Sequence, residues 1–173
     1  MLVKPNNAYL DAFVAFYDDI LVNDPLSCDF YGENIEDFNR YIKNLLDEEQ
    51  GVNLKDGYVP CSHRWYLNKK GNIVGTIRIR HSLDTEFHRN ELGHIGFDIA
   101  PSFRGYGYAT DMLAKAIDVA SQLSISELLL TTSEENIASQ QVIQKNGGQY
   151  HSKVYSSVFN EVIERYWITT NLK

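Results

Sequence analysis

The residues with the clearest chemical purpose are Arg104-Gly105-Tyr106-Gly107-Tyr108-Ala109. A helical pattern starts at once behind them, with Ala109, Met112, Leu113, Ala116, Ile117 and Ala120 at helical spacing. Glycines just before a helix let the backbone turn tightly and approach a ligand. The unbonded amides of the first turn then converge with the positive end of the helix dipole, which suits a phosphate. Arg104 adds a cation. The spacing is not GxxxxGK[ST] and fits the dinucleotide fingerprint poorly. Taken alone, the residues indicate a phosphate-bearing ligand or, with about equal weight, a glycine-rich connection with none.

The segment before this bend, His94 to Ala100, reads as a strand. Ile95, Phe97 and Ile99 alternate with His94, Gly96, Asp98 and Ala100, and Pro101 ends the run. Polar residues on one side of a core strand point to a cleft. Glu91 at the head of this strand and His94 within it are the candidate general bases. Histidine titrates near neutrality, and a glutamate needs burial to reach that range. Either residue alone is more simply read as structural. Asp98 shares the face of His94 and is placed to orient it or to bind an amine.

Other elements must position these groups. Leu2-Val3 reads as a short first strand. Asn6 or Asn7 caps a helix carrying Leu10, Phe13, Phe16, Tyr17, Ile20 and Leu21. Asn34 caps a second, with Phe38, Tyr41, Ile42, Leu45 and Leu46 inward and Gly51 beyond its end. Strands are expected at His63–Leu67 and Ile73–Ile79, joined by the turn Asn68–Asn72. Arg78 and Arg80 share one face of the second strand, to hold a substrate carboxylate or to lie on an edge surface. The polar run His81–Glu91 matches no compact zinc spacing, so no metal is expected. Glu127–Thr132 reads as a buried strand and Ile137–Lys145 as a short helix stopped by Asn146-Gly147-Gly148. Gln149–Tyr155 and Val162–Ile168 form a final antiparallel pair. No linker divides the chain, so a single domain over residues 1–173 is expected.

The 173 residues are 43% apolar and 23% charged, ordinary for a globular domain with a real core. The net charge of −7 weighs against a general nucleic-acid binder. Two cysteines, Cys28 and Cys61, fall in loop-like sequence and do not suggest a disulfide-stapled secreted fold. No signal peptide or apolar span of membrane length is evident, which makes the cytoplasm the default location.

The stretch from Pro101 to Ala109 resembles the acyl-CoA pyrophosphate loop of the GNAT family of N-acetyltransferases. Arg104, Gly107 and Ala109 fill that family's signature of Arg or Gln, two residues, Gly, one residue, then Gly or Ala. The order of elements resembles the family fold. It is an α/β architecture with a mixed, mostly antiparallel sheet of six to seven strands, helices on both faces, and a splayed parallel pair forming the acetyl-CoA cleft. That pair is His94–Ala100 and Glu127–Thr132. Residues 58 to 168 also resemble a bacterial subgroup of predicted acetyltransferases.

The resemblance implies acetyl-CoA as cofactor, held by Phe97, Ile99, Phe103, Arg104, Gly105, Tyr106, Gly107, Tyr108, Ala109, Asn136 and Ser139, with Asn136 equally readable as a helix cap. It implies a strand amide near Ile99 that polarises the thioester. It places the acceptor beside the first two helices, where Tyr31, Phe30 and Tyr41 are candidates together with Arg78 and Asp98. Family members often pair as homodimers. The tyrosine that protonates the leaving thiolate in many members is matched here by Ile143; Tyr150, just beyond, is the substitute acid, unless none is needed. The implied reaction is direct transfer of an acetyl group to a primary amine. The alternative is a non-catalytic acyl-CoA-binding sensor.

Overall fold

The computed structural model describes residues 1–25, 31 and 37–171. Phe30, Cys28 and Asn34 lie outside them. Seven strands form one sheet: β1 (Leu2–Val3), β2 (Cys61–Leu67), β3 (Ile73–Arg80), β4 (Ile95–Ile99), β5 (Glu127–Ser133), β6 (Gln149–Ser156) and β7 (Glu161–Thr169), in the spatial order β1-β2-β3-β4-β5-β7-β6. Every neighbouring pair is antiparallel except β4 with β5, which is parallel. The α/β mixed sheet expected from the sequence is therefore present.

Two cores lie on opposite faces. On one, α3 (Tyr108–Gln122) buries Met112, Leu113, Ala116 and Ala120 against Ile77, Ile79, Ile95, Leu128 and Leu130. The alanines let the helix axis come close to the sheet. Helix α4 (Ile137–Lys145) adds Ile143 to the same core. On the other face, α1 (Leu10–Asn23) and α2 (Phe38–Glu49) pack an aromatic cluster around Trp65. Phe13 stacks on the Trp65 ring at 5.1 Å between centroids. Complete burial of such a ring stabilises by roughly 1.5–3 kcal/mol.

Several expectations need correction. Leu10, Leu21 and Leu46 are exposed, because Phe13, Phe16 and Ile20, and Phe38, Ile42 and Leu45, already fill the inward stripes. The cap of α2 is Asp37, whose Oδ1 accepts from the Arg40 amide at 3.0 Å. Cys61 is not in a loop; it opens β2 and is buried. The run before β4 contains one wide helical turn, His88–Leu92. Strand β3 is flanked by β2 and β4, so Arg78 and Arg80 are not on a sheet edge. Among the described residues no helix is long and apolar enough to cross a membrane.

Candidate active site

The site begins where β4 and β5 part. His94 N–H donates to the Leu129 carbonyl at 2.7 Å, and Ile95 is the only β4 residue in register with β5, opposite Leu130. Gly93 makes this junction possible. Its φ is +62°, and a Cβ there would lie 2.5 Å from the Leu129 carbonyl oxygen. The Ala100 amide bonds to Val74 on β3, and Gly96 and Asp98 lie opposite Arg78 and Thr76. Alternation then turns the amides of Phe97 and Ile99 the other way, toward β5 and past the last pair. The strands splay there, and a cavity of about 550 Å³ opens.

The far wall is the glycine bend and the start of α3. A short 3₁₀ turn, Pro101–Phe103, redirects the chain. Gly105 and Gly107 follow, both with positive φ, and Gly107 at +81° precedes the helix without a capping side chain. The first helical bond in this turn runs from Asp111 N–H to the Gly107 carbonyl. The amides of Tyr108, Ala109 and Thr110 therefore precede the helical ladder and form a positive helix end. Phe97, Ile99, Phe103, Arg104, Gly105, Gly107, Tyr108 and Ala109 all line the cavity. Tyr106 does not; its side chain is 75% exposed and borders a separate groove beside Lys69 and Lys70. Arg104 is partly committed. Its Nε donates to the Ile99 carbonyl at 3.0 Å and its Nη2 to Asp24 Oδ2 at 2.6 Å.

Helix α4 closes the other side. Asn136 and Ser139 both line the cavity. Asn136 also caps the helix, its Oδ1 accepting from the Ser139 amide at 3.0 Å. Lys145, at the last turn of α4, faces the same cavity. Sequence reading missed it because a lysine before an Asn-Gly-Gly stop reads as an ordinary helix end.

Three of the candidate acceptor residues come together. The Tyr31 hydroxyl donates to Asp98 at 2.7 Å and lies 2.8 Å from Thr76 Oγ1; Arg78 Nη2 donates to Asp98 at 3.0 Å. Burial, and then the Asp98 charge, push the Tyr31 pKa up, so its hydroxyl stays protonated. Burial works against the charge of Arg78, but Tyr31 and Asp98 outweigh it and raise its pKa. Asp98 also lines the main cavity, so this network reaches the cleft from the α1–α2 face. Tyr41 and Arg78 border a smaller hollow of about 90 Å³ on that face.

The three candidate acid–base residues do not come together. The Glu91 carboxylate accepts from Ser156, at the end of β6. His94 Nδ1 accepts the Leu129 amide at 2.9 Å, and burial, helped by Arg80, lowers its pKa to about 4. A neutral imidazole that is bonded into the strand junction holds the sheet together at the closed end of the splay. Tyr150 lies on edge strand β6, 53% exposed, with its ring against Tyr166. None of the three lines the cavity. Ile143 is fully buried in the α3 core, so its position offers the cleft no hydroxyl.

Residues 1–149 match the family described as the acetyltransferase (GNAT) domain. No curated protein sequence matches significantly. Among solved structures, the chain is similar to the ribosomal-protein-S5-alanine acetyltransferase from Vibrio fischeri, with a TM-score of 0.74 at 14% identity over 98% of this chain and 92% of that one. It is similar to RimL, a ribosomal L7/L12 alpha-N-protein acetyltransferase solved with coenzyme A, with a TM-score of 0.74 at 13% identity over 99% and 94%. It is also similar to yncA from Salmonella typhimurium, solved with acetyl-CoA, with a TM-score of 0.66 at 10% identity over 100% and 94%. At such identities the likeness is one of fold.

Proposed function

The chain belongs to the GNAT family of acetyltransferases, and from that premise we propose that it moves the acetyl group of acetyl-CoA onto a primary amine held beside Asp98. The observation that carries this reading is the uncapped start of α3, opening into the same cavity as the splayed edge of β4. The amides of Tyr108, Ala109 and Thr110, with the Gly105–Gly107 bend, hold the diphosphate. Lys145 supplies a further cation for the nucleotide phosphates. The outward amides of Phe97 and Ile99 bind the pantetheine arm and donate to the carbonyl that accumulates negative charge.

Bound acetyl-CoA supplies an activated acyl thioester. The chain supplies orientation and proton handling. Asp98 is the carboxylate on the cleft strand itself, held in place by hydrogen bonds from Arg78 and Tyr31. It attracts an ammonium, fixes its direction, and receives the proton directly or through water. This role passes to Asp98 from Glu91 and His94, whose side chains are bonded at the sheet junction. The Ile143 position offers no acid, so the thiolate leaves unprotonated, which a good leaving group tolerates.

The same missing hydroxyl favours a second reading, an acyl-CoA sensor without turnover. Thiol release from acetyl-CoA, measured across small amines, amino acids and peptide N-termini, separates the two. Amine-dependent release supports transfer. Saturable acetyl-CoA binding with no release across the panel supports the sensor.

A further inference from the structure

Outside the main cavity, α2 and β2 bring together three donors, of which His63 also lines the small hollow bordered by Tyr41 and Arg78. Cys61 Sγ, His63 Nε2 and a Glu48 carboxylate oxygen all lie within 4.8 Å of one another. Cys61 and His63 are two residues apart on β2, so their side chains leave the same face. Glu48 descends onto that face from the last turn of α2, and its Oε2 lies 2.8 Å from His63 Nε2. The cluster is graded in depth. Cys61 is 3% exposed, and the side chains of His63 and Glu48 are 16% and 22% exposed.

A thiolate, an imidazole and a carboxylate form a mixed S, N, O set suited to zinc and unlike the all-oxygen sets taken by magnesium or calcium. Zinc bonds of about 2.0–2.3 Å bring tetrahedral donors roughly 3.3–3.8 Å apart, so the longest spacing in the set must shorten by about 1–1.5 Å at most. The charges of Arg78 and Arg80 reach Cys61, but the hydrogen bonds of the nearby guanidiniums include partners outside the cluster. Arg80 donates to the Gly93 carbonyl, Arg78 to Asp98, and Arg64 to Glu49. We infer that Glu48, Cys61 and His63 form a binding site for one zinc-class divalent cation, with water as fourth ligand on the open side. Binding replaces the Cys61 S–H bond with a sulfur–metal bond and the His63 Nε2–H bond, now directed at Glu48, with a nitrogen–metal bond; the thiol proton and the Nε2 proton pass to solvent, and the neutral ring carries its one proton on Nδ1. The metal stays divalent and no electron moves. Its effect is to clasp α2 to β2, apart from the acetyl cleft.

The test is a cobalt(II) titration of the full chain, kept reduced with a phosphine and followed by absorption. The expected result is one equivalent bound, a thiolate-to-cobalt charge-transfer band in the near ultraviolet, and displacement of that band by zinc. Cys61→Ser removes the band, Cys28→Ser retains it, and His63→Gln and Glu48→Gln each raise Kd by more than about tenfold. If Cys61→Ser does not fold, as judged by circular dichroism, the His63 and Glu48 variants decide. Absence of the band in the native chain, its persistence in Cys61→Ser, its loss in Cys28→Ser, or an unchanged Kd in both His63→Gln and Glu48→Gln overturns the assignment.

Discussion

The Tyr31 hydroxyl lies 2.7 Å from the Asp98 carboxylate, which ties the α1–α2 side of the molecule to the strand lining the acetyl cleft. Hydrogen bonds to a charged group are worth about 1.5–3 kcal/mol, so removing the charge should be visible in transfer. Asp98→Asn is expected to lower kcat/KM for the amine by roughly 10- to 100-fold, consistent with that energy. Affinity for CoA should change little, because the proposed role of Asp98 is to hold the acceptor. Steady-state kinetics paired with CoA titration checks this; equal losses in both would remove Asp98 from the acceptor role.

Gly107 sits at φ +81° with no atom near its missing Cβ, so a side chain there meets open cavity. Gly107→Val costs about 1–2 kcal/mol in backbone strain and projects into the proposed diphosphate position. CoA affinity should fall by more than about tenfold while the thermal midpoint drops by only a few degrees. Calorimetric titration beside a melting curve separates the two effects.

Gly93 offers the opposite case. A Cβ there collides with the Leu129 backbone, and φ is also positive. Gly93→Ala should therefore destabilise by about 2–5 kcal/mol, from strain plus overpacking. Gly105→Ala, at a similar φ but in open space, should cost only about 1 kcal/mol. Thermal or urea unfolding of the two variants compares them, and similar losses would mean that the β4–β5 junction is looser than its geometry implies.

His94 links stability to pH. Its folded pKa of about 4 lies below the ordinary 6.5, so between those values the unfolded chain binds the extra proton. Its contribution is present in full above pH 6.5 and is lost as pH falls toward 4. Glu49 titrates lower still: burial opposes its charge, yet bonds from Arg64 and Lys4 hold it near 2. His94→Asn keeps an acceptor for the Leu129 amide and cannot titrate. Its urea-unfolding free energy should be flatter than that of the native chain from pH 6.5 to 4. Parallel curves would show that His94 is not the group responsible.

The glycine bend is readable in the sequence because its signals are local. Pro101 stops a strand, Gly105 and Gly107 bend the chain, and Met112, Leu113, Ala116 and Ala120 mark one helical face. The Tyr31–Asp98–Arg78 network is partly readable, since Arg78 and Asp98 sit on period-two strands, but their pairing depends on the register of β3 with β4. Residue type carries no information about the partners of Glu91 and His94. Only the fold reveals that Ser156 and the Leu129 amide occupy them. The Glu48–Cys61–His63 cluster was illegible for a related reason: it joins a helix end to a strand, across a segment with no metal-like spacing.

Acetyl transfer as proposed requires the cavity between β4, the glycine bend and α4 to receive coenzyme A. Isothermal titration of the folded chain with acetyl-CoA tests this directly. One saturable site, weakened in Gly107→Val and displaced by free CoA, is the predicted result. A flat titration, with no competition against a labelled CoA, would contradict it.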